Sequence, residues 1–514
     1  MKNKLIYANL LLAACLVACG GGTPSEEAPA PSEETPTQST DTPAPSDETP
    51  APSEEQPTGL AGMVDENPHV QGVDEENKKI YVGNTAATTG AFATVGVPFN
   101  AGLNAALYAY NLAGGFNGYS VELIHYDDGF DGATGLSYTE KLVEEDEVFA
   151  LVGHFGTNTV EATLDYIEDT GVPMVYAATG VSGLFNAKAE GNQRAIMSVQ
   201  PIYDAEGEVL LARAAAAVEG NMGLGGSKIG VISTTDAAGL GMLNGIKNEA
   251  AKLGIDNITY VETSADKETN HSTAVTVLKN AGCDVVIIAA NQTPFQSIMT
   301  YFNTTGYENV KVITSYVSAN ATLAGTMIGD GSVTSTREAY TTAWLDITSS
   351  TYFYAPEATN ATGTYLWNCY KALVADTYPT YYDAGVPGFS EEYWTAAEAI
   401  CAYELSLADY TNAFLYSFDS YALAGYIAGF MFIQGLERLE AAEVELTWGN
   451  YYNAMEIEEV DVPMGGSVNF GNGRRAGIQD LAVNKFGTNA LTGAGELQVF
   501  SSITKLADVE AAVK

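Results

Sequence analysis

Thr157 and Thr179 each lie in a short turn of small residues that follows an apolar run. The first run is residues 149–152 (FALV), followed by 153–158 (GHFGTN). The second is 172–176 (VPMVY), followed by 177–180 (AATG), so Ala178 and Gly180 flank Thr179. A threonine hydroxyl donates one hydrogen bond, and a helix start offers N–H groups without intrahelical partners. Together they favour an anion such as a carboxylate. Catalysis finds less support. There is no HExxH or GxSxG, and GVSG at 180–183 lacks the spacing. His154 follows the first run and could act as a base, but no nucleophile is placed with it. DDGFDG at 127–132 opens like a calcium loop, yet Gly129 takes the third position and Tyr138 the twelfth, where a bidentate Glu is needed. GNMGLGGSK at 220–228 lacks the Gly-Lys-Ser/Thr of a phosphate loop and precedes a strand instead of following one. Four His and five Cys are scattered, so no metal or cofactor is implied.

These turns need strands and helices to hold them. Val160, Leu164 and Ile167 share one helical face, and Gly171 closes that helix. Residues 149–180 therefore read as strand, helix, strand, a right-handed crossover in a parallel sheet. Both turns fall at the carboxyl ends of their strands, where open α/β sheets bind ligands. The same alternation runs from residue 80 to 146, with Phe99, Leu103, Leu107 and Tyr110 at helical spacing, and again from about 206 to 314. Two successive sets predict two doubly wound parallel-sheet lobes of α/β class. Residues 421–439 are mostly apolar, but Gln434 interrupts them too early for a membrane span, so they read as core. Residues 462–483 alternate and are rich in Gly, which predicts a short β-hairpin or two.

A chain of 514 residues exceeds one core, and its formal charge of -42 argues against nucleic acid as a partner. Lys2 and Lys4 precede an apolar stretch that ends Leu16-Val17-Ala18-Cys19. This resembles the lipobox of bacterial lipoproteins, with cleavage after residue 18 and lipid on Cys19. Residues 19–75 then read as a disordered tether. Ten of the eighteen prolines fall between 20 and 68, among Ser, Thr and Glu. Cys283, Cys369 and Cys401 remain, an odd number that implies no complete disulfide framework.

In order and spacing, several motifs resemble the type I solute-binding proteins of ABC importers, the Leu/Ile/Val-binding branch. They are Val82-Gly83 with Thr89-Gly90, Asn111 with residues 114–118 (GGFNG), Tyr126-Asp127-Asp128, Val152-Gly153-His154 and Gly171-Val172-Pro173. Phe418-Asp419-Ser420-Tyr421 and residues 466–470 (GSVNF) complete the set. The resemblance implies two lobes joined by three crossovers, near residues 200–204, 343–346 and 456–460. Lobe 1 is then 76–201 and 346–457, and lobe 2 is 202–345 and 458–514. It implies a ligand in the cleft, its carboxylate held at Thr157 and at Thr179 and Gly180, with Phe92, Val95, Ala178 and Phe418 lining the cleft. Relatives often hold a ligand ammonium with a Glu in the second lobe. Here Tyr316 takes that position, and Asp236 is the nearby carboxylate that could substitute. The implied protein is a monomeric binding protein on the extracellular face of the membrane. It is no enzyme, and it passes an amino acid or analogue to an ABC permease with its ATPase. A receptor of the same fold that signals to a membrane partner is the alternative.

Overall fold

The computed structural model describes residues 59–265, 270–320, 323, 337–345, 391–417, 419–488 and 495–513. Two sheets organise it. The first contains β1 (Val73–Asp74), β2 (Lys79–Ala86), β3 (Ser120–Asp127), β4 (Ala150–Val152), β5 (Met174–Val175) and β6 (Ile196–Met197). Strands β3, β2, β4, β5 and β6 lie side by side and parallel, and β1 adds antiparallel to β2. Helices α1 (Ala93–Leu112), α2 (Gly132–Glu144) and α3 (Thr157–Thr170) carry the crossovers. The chain then passes to the second sheet through α4 (Tyr203–Ala215).

The second sheet is built from β7 (Ile229–Thr234), β8 (Ile258–Thr263), β9 (Val285–Ala289), β10 (Lys311–Thr314) and β11 (Glu338–Ala343), all parallel. Its helices are α5 (Ala237–Leu253), α6 (His271–Ala281) and α7 (Gln292–Thr304). Strands β7 and β9 are buried along their whole length, which is why they read as unbroken apolar runs and do not alternate. Helices α8 (Glu391–Ser406), α9 (Tyr410–Tyr416), α10 (Ser420–Ala441) and α11 (Trp448–Glu456) return to the first lobe, where α8 and α10 pack on α1. No helix among the described residues is long and apolar enough to cross a membrane, and α10 lies in the core.

Two segments take places that periodicity did not suggest. The hairpin β12 (Val460–Val462) and β13 (Gly466–Val468) was expected in lobe 2 but lies against lobe 1. Gln434 on α10 grips it, donating to Asp461 O at 2.8 Å and accepting from Asp461 N at 3.0 Å. The third crossover is therefore reached beyond residues 456–460. It runs beside the first, with Ile478 N donating to Val199 O at 2.9 Å. After it, β14 (Leu481–Thr488) and β15 (Gly495–Thr504) add an antiparallel hairpin to the edge of the second sheet at β11, and α12 (Leu506–Glu510) packs on α4.

The end of the expected tether is also ordered. Leu60 is buried, Asn67 O accepts from Gly449 N at 2.8 Å, and His69 O accepts from Trp448 N at 3.0 Å. Asp65 accepts from the Thr447 hydroxyl at 2.8 Å. Residues 59–75 thus form an arm along the start of α11, held by hydrogen bonds that its own composition does not reveal. Deleting residues 59–72 should lower the melting temperature by several degrees, on the scale of a few lost buried hydrogen bonds at about 1 kcal/mol each. Deleting 20–58 should leave it unchanged. Calorimetric scans of the two deletions check this, and equal melting temperatures would remove the arm from the fold.

Candidate functional site

Thr157 and Thr179 meet because β4 and β5 are neighbours and a parallel bridge between Phe155 and Ala178 carries their alignment into the turns. Their hydroxyls are 3.1 Å apart. Tyr203, at the start of α4, brings a third hydroxyl to 3.3 Å from each. Thr157 is also the first residue of α3. Gly156 precedes it at φ 101° and no side chain caps that helix start. Asp131, Asp236, Asp419 and Thr447, by contrast, cap the starts of α2, α5, α10 and α11. The α3 start therefore presents N–H groups beside three hydroxyls. From the second lobe Asn291 Nδ2 reaches Thr157 Oγ1 at 3.5 Å.

These groups line a cavity of about 750 Å³ between the lobes. Phe92, Phe99, Phe130, Phe155, Trp344 and Tyr393 make much of its wall. Phe92 stacks on Phe130 with ring centres 3.8 Å apart. Hydrogen bonds also cross the cleft: Gln292 Nε2 donates to Tyr421 Oη at 2.7 Å, and Asn320 Nδ2 donates to Ser420 Oγ at 3.1 Å. Gln292 and Asn320 belong to the second lobe and the two acceptors to α10 of the first, so the lobes are drawn together over the cavity.

Of the residues singled out from the sequence, Phe92, Val95, Thr157, Ala178, Thr179 and Tyr316 line this cavity. Phe418 lies outside the described residues. Gly180 does not line it. Its carbonyl accepts from Tyr203 N at 2.7 Å, and a Cβ there would lie 2.3 Å from Pro201 O, so it needs to be glycine to let the crossover pass. Asp236 does not line the cavity either. Its Oδ1 accepts from the Thr234 hydroxyl at 2.6 Å and from Gly239 N at 3.0 Å as the cap of α5. Tyr316 lines the cavity with its ring, but its hydroxyl donates to Pro201 O at 3.0 Å and so ties the crossover. Burial holds that phenol well above the usual tyrosine range.

His154 is no base in the cleft. It is fully buried behind β4, where Nδ1 takes the Thr85 N–H at 3.5 Å and Nε2 meets the Thr163 hydroxyl at 3.2 Å. Desolvation holds it down to about 4, so the ring is neutral. A carboxylate does sit near Tyr316, though not in the cavity. Glu206 on α4 accepts from Tyr316 N at 2.8 Å, from the Ser315 hydroxyl at 2.7 Å and from the Thr342 hydroxyl, and burial pushes it up to about 7. Sequence reasoning did not find Tyr203, Asn291, Phe130 or Trp344. Asn291 follows the β9 run in the same way that Thr157 follows β4, so that rule applied once more would have found it. Tyr203 had no such signal, since it comes from a crossover.

Residues 79–382, more than half of the chain, match a family described as periplasmic binding protein. The chain belongs to that family. The family's two-lobed fold recurs in solved structures. A fatty acid ABC transporter substrate-binding protein from Thermomonospora curvata superposes with a TM-score of 0.61 at 18% identity, covering 87% of this chain and 97% of that one. A branched chain amino acid ABC transporter protein from Thermus thermophilus with bound valine gives 0.59 at 13% identity, covering 84% and 98%. Among curated relatives, an amino acid binding protein of Pseudomonas aeruginosa is 26% identical over 215 residues, 40% of this chain and 52% of that protein. A Leu/Ile/Val-binding protein homolog 2 of Brucella abortus is 34% identical over 100 residues, 20% and 27%. The chain thus spans about half the length, or less, of these curated relatives. The proteins that it matches are binding proteins and not enzymes.

Proposed function

We propose that this periplasmic binding protein captures a carboxylate-bearing solute between its lobes outside the cytoplasm and delivers it to an ABC permease and its ATPase. The observation that carries the reading is the meeting of the Thr157, Thr179 and Tyr203 hydroxyls with the uncapped start of α3 in the cleft. Neutral donors aimed at one point suit a carboxylate, and lobe closure removes the water that would compete for it. The names of the relatives, which include amino acid and Leu/Ile/Val-binding proteins, support the same class.

A hydrogen bond to a charged group contributes about 1.5–3 kcal/mol, or roughly ten- to a hundredfold in affinity. Thr157→Val keeps the shape and removes the hydroxyl. Once a screen of amino acids and small carboxylates by thermal shift has found a ligand, calorimetry on this variant should show that loss. Wild-type affinity in a folded Thr157→Val protein would remove the carboxylate pocket.

The anchor is part of the proposal. Cys19 becomes the lipidated N-terminus, and residues 20–58 hold the lobes away from the membrane. Cys19→Ser should abolish incorporation of labelled fatty acid. Unchanged labelling would assign the anchor elsewhere.

A further inference from the structure

The cleft constrains the far end of the ligand as well as its carboxylate. Among the described residues no Lys, Arg or His lines the cavity, and its one acidic side chain is Asp419. Asp419 is committed to α10. Its Oδ1 accepts from Tyr421 N at 2.8 Å and from Ala422 N at 3.2 Å, and its Oδ2 faces Asn320 Nδ2 at 3.4 Å. The neighbouring carboxylates are committed too. Asp236 caps α5 through Oδ1 and its Oδ2 accepts from Asn291 Nδ2 at 3.4 Å, and both oxygens of Glu206 take donors from Ser315, Tyr316 and Thr342.

An ammonium carried into this cleft would lose its water and, among the described residues, meet only carboxylates that already accept hydrogen bonds from the protein, which is a heavy desolvation cost. The walls offer apolar surface. Phe92 and Phe130 form one slab, and Phe99 contacts Phe155 with ring centres 5.4 Å apart. Small-molecule pockets run from about 300 to 1,000 Å³. At about 750 Å³ this cavity lies in the upper part of that range, and Thr157, Thr179 and Tyr203 supply only part of its lining.

We propose that the ligand is an apolar monocarboxylate with an aryl or alkyl body and no α-ammonium group. The proposal rests on the carboxylate reading of the hydroxyl cluster. The acid end sits on Thr157, Thr179 and Tyr203, and the body lies along the phenylalanine slab towards Trp344. Discrimination against amino acids comes from the lack, among the described residues, of an uncommitted partner for the amine, a stronger filter than pocket size.

Titration calorimetry of the purified protein with matched probes tests this. Phenylalanine is compared with 3-phenylpropionate, leucine with 4-methylpentanoate, and 3-phenylpropionate with 3-phenylpropanamide. Decanoate probes the length of the cavity. The deaminated acid of each pair should bind at least tenfold more tightly than the amino acid, and the amide at least tenfold more weakly than its acid. If phenylalanine or leucine binds more tightly than its deaminated partner, the amine-free inference is overturned while the carboxylate reading stands. If the amide binds as well as the acid, the carboxylate reading itself fails. No heat from any acid at millimolar concentration overturns both.

Discussion

Glu456→Gln should lower the melting temperature by about 3–6 °C, because one carboxylate holds two buried guanidinium groups. Arg475 is fully buried, and its Nη2 donates to Glu456 Oε1 at 2.6 Å. Arg194 donates to the same carboxylate from Nη2 at 2.8 Å and from Nε at 3.1 Å. The three residues come from the end of β5–β6 connection, the end of α11 and the segment before β14, so they clamp the approach to the hinge. Glu66 of the arm reaches Arg194 at 3.3 Å, but it is mostly exposed and adds little. Desolvation already pulls Arg475 below the usual arginine range, and its Nε finds no partner among the described residues. Removing the negative charge leaves two like charges facing each other in a dry site, a loss of roughly 3–5 kcal/mol. Replacing Arg194, Glu456 and Arg475 together with Met, Leu and Met should recover most of that loss, since the cost lies in an unpaired charge. Thermal melts followed by circular dichroism check both variants. A Glu456→Gln melting point within about 1 °C of wild type would make the clamp dispensable.

Gly102→Val should be at least as damaging. Helices α1 and α10 touch backbone to backbone at this point. A Cβ on Gly102 would lie 1.8 Å from Ala422 O and 2.8 Å from Tyr426 N. Gly425 faces the same seam from the other side, with a Cβ position 1.8 Å from Phe99 O. Backbone cannot turn aside as a side-chain tip can, so the helices must part. Overpacking ordinarily costs about 1–3 kcal/mol, and a clash with fixed backbone belongs at or above the top of that range. The effect reaches the cleft, because α1 begins beside Phe92 and Val95 and α10 begins at Ser420 and Tyr421, all of which line the cavity. The soluble yield and melting temperature of Gly102→Val should both fall sharply, and a wild-type melt would show that the seam can open at no cost.

The sequence by itself determined the two-lobed α/β class and the central unit around β4, α3 and β5. Both follow from local chemistry: apolar runs long enough for buried strands, helical periodicity, and Gly171 closing α3 in the left-handed region at φ 75°. The position of Thr157 and Thr179 at strand ends was legible for the same reason. Only the tertiary structure decided which hydroxyl joins them, since Tyr203 arrives from a crossover that no local pattern registers. It also turned the Tyr316 hydroxyl onto Pro201 O and used Asp236 as a helix cap. A polar side chain has several partners within reach of its own type, and distant chain segments settle which one it meets. The same holds for whole segments. Alternation announced the β12–β13 hairpin, but Gln434 on a helix of lobe 1 determined where it docks. The arm at 59–75 looks in composition like the end of a tether, and it is ordered because Thr447, Trp448 and Gly449 supply partners for its polar groups. Periodicity reports that a residue is buried, while the identity of its neighbour depends on loop paths and lobe contacts that no window of sequence contains.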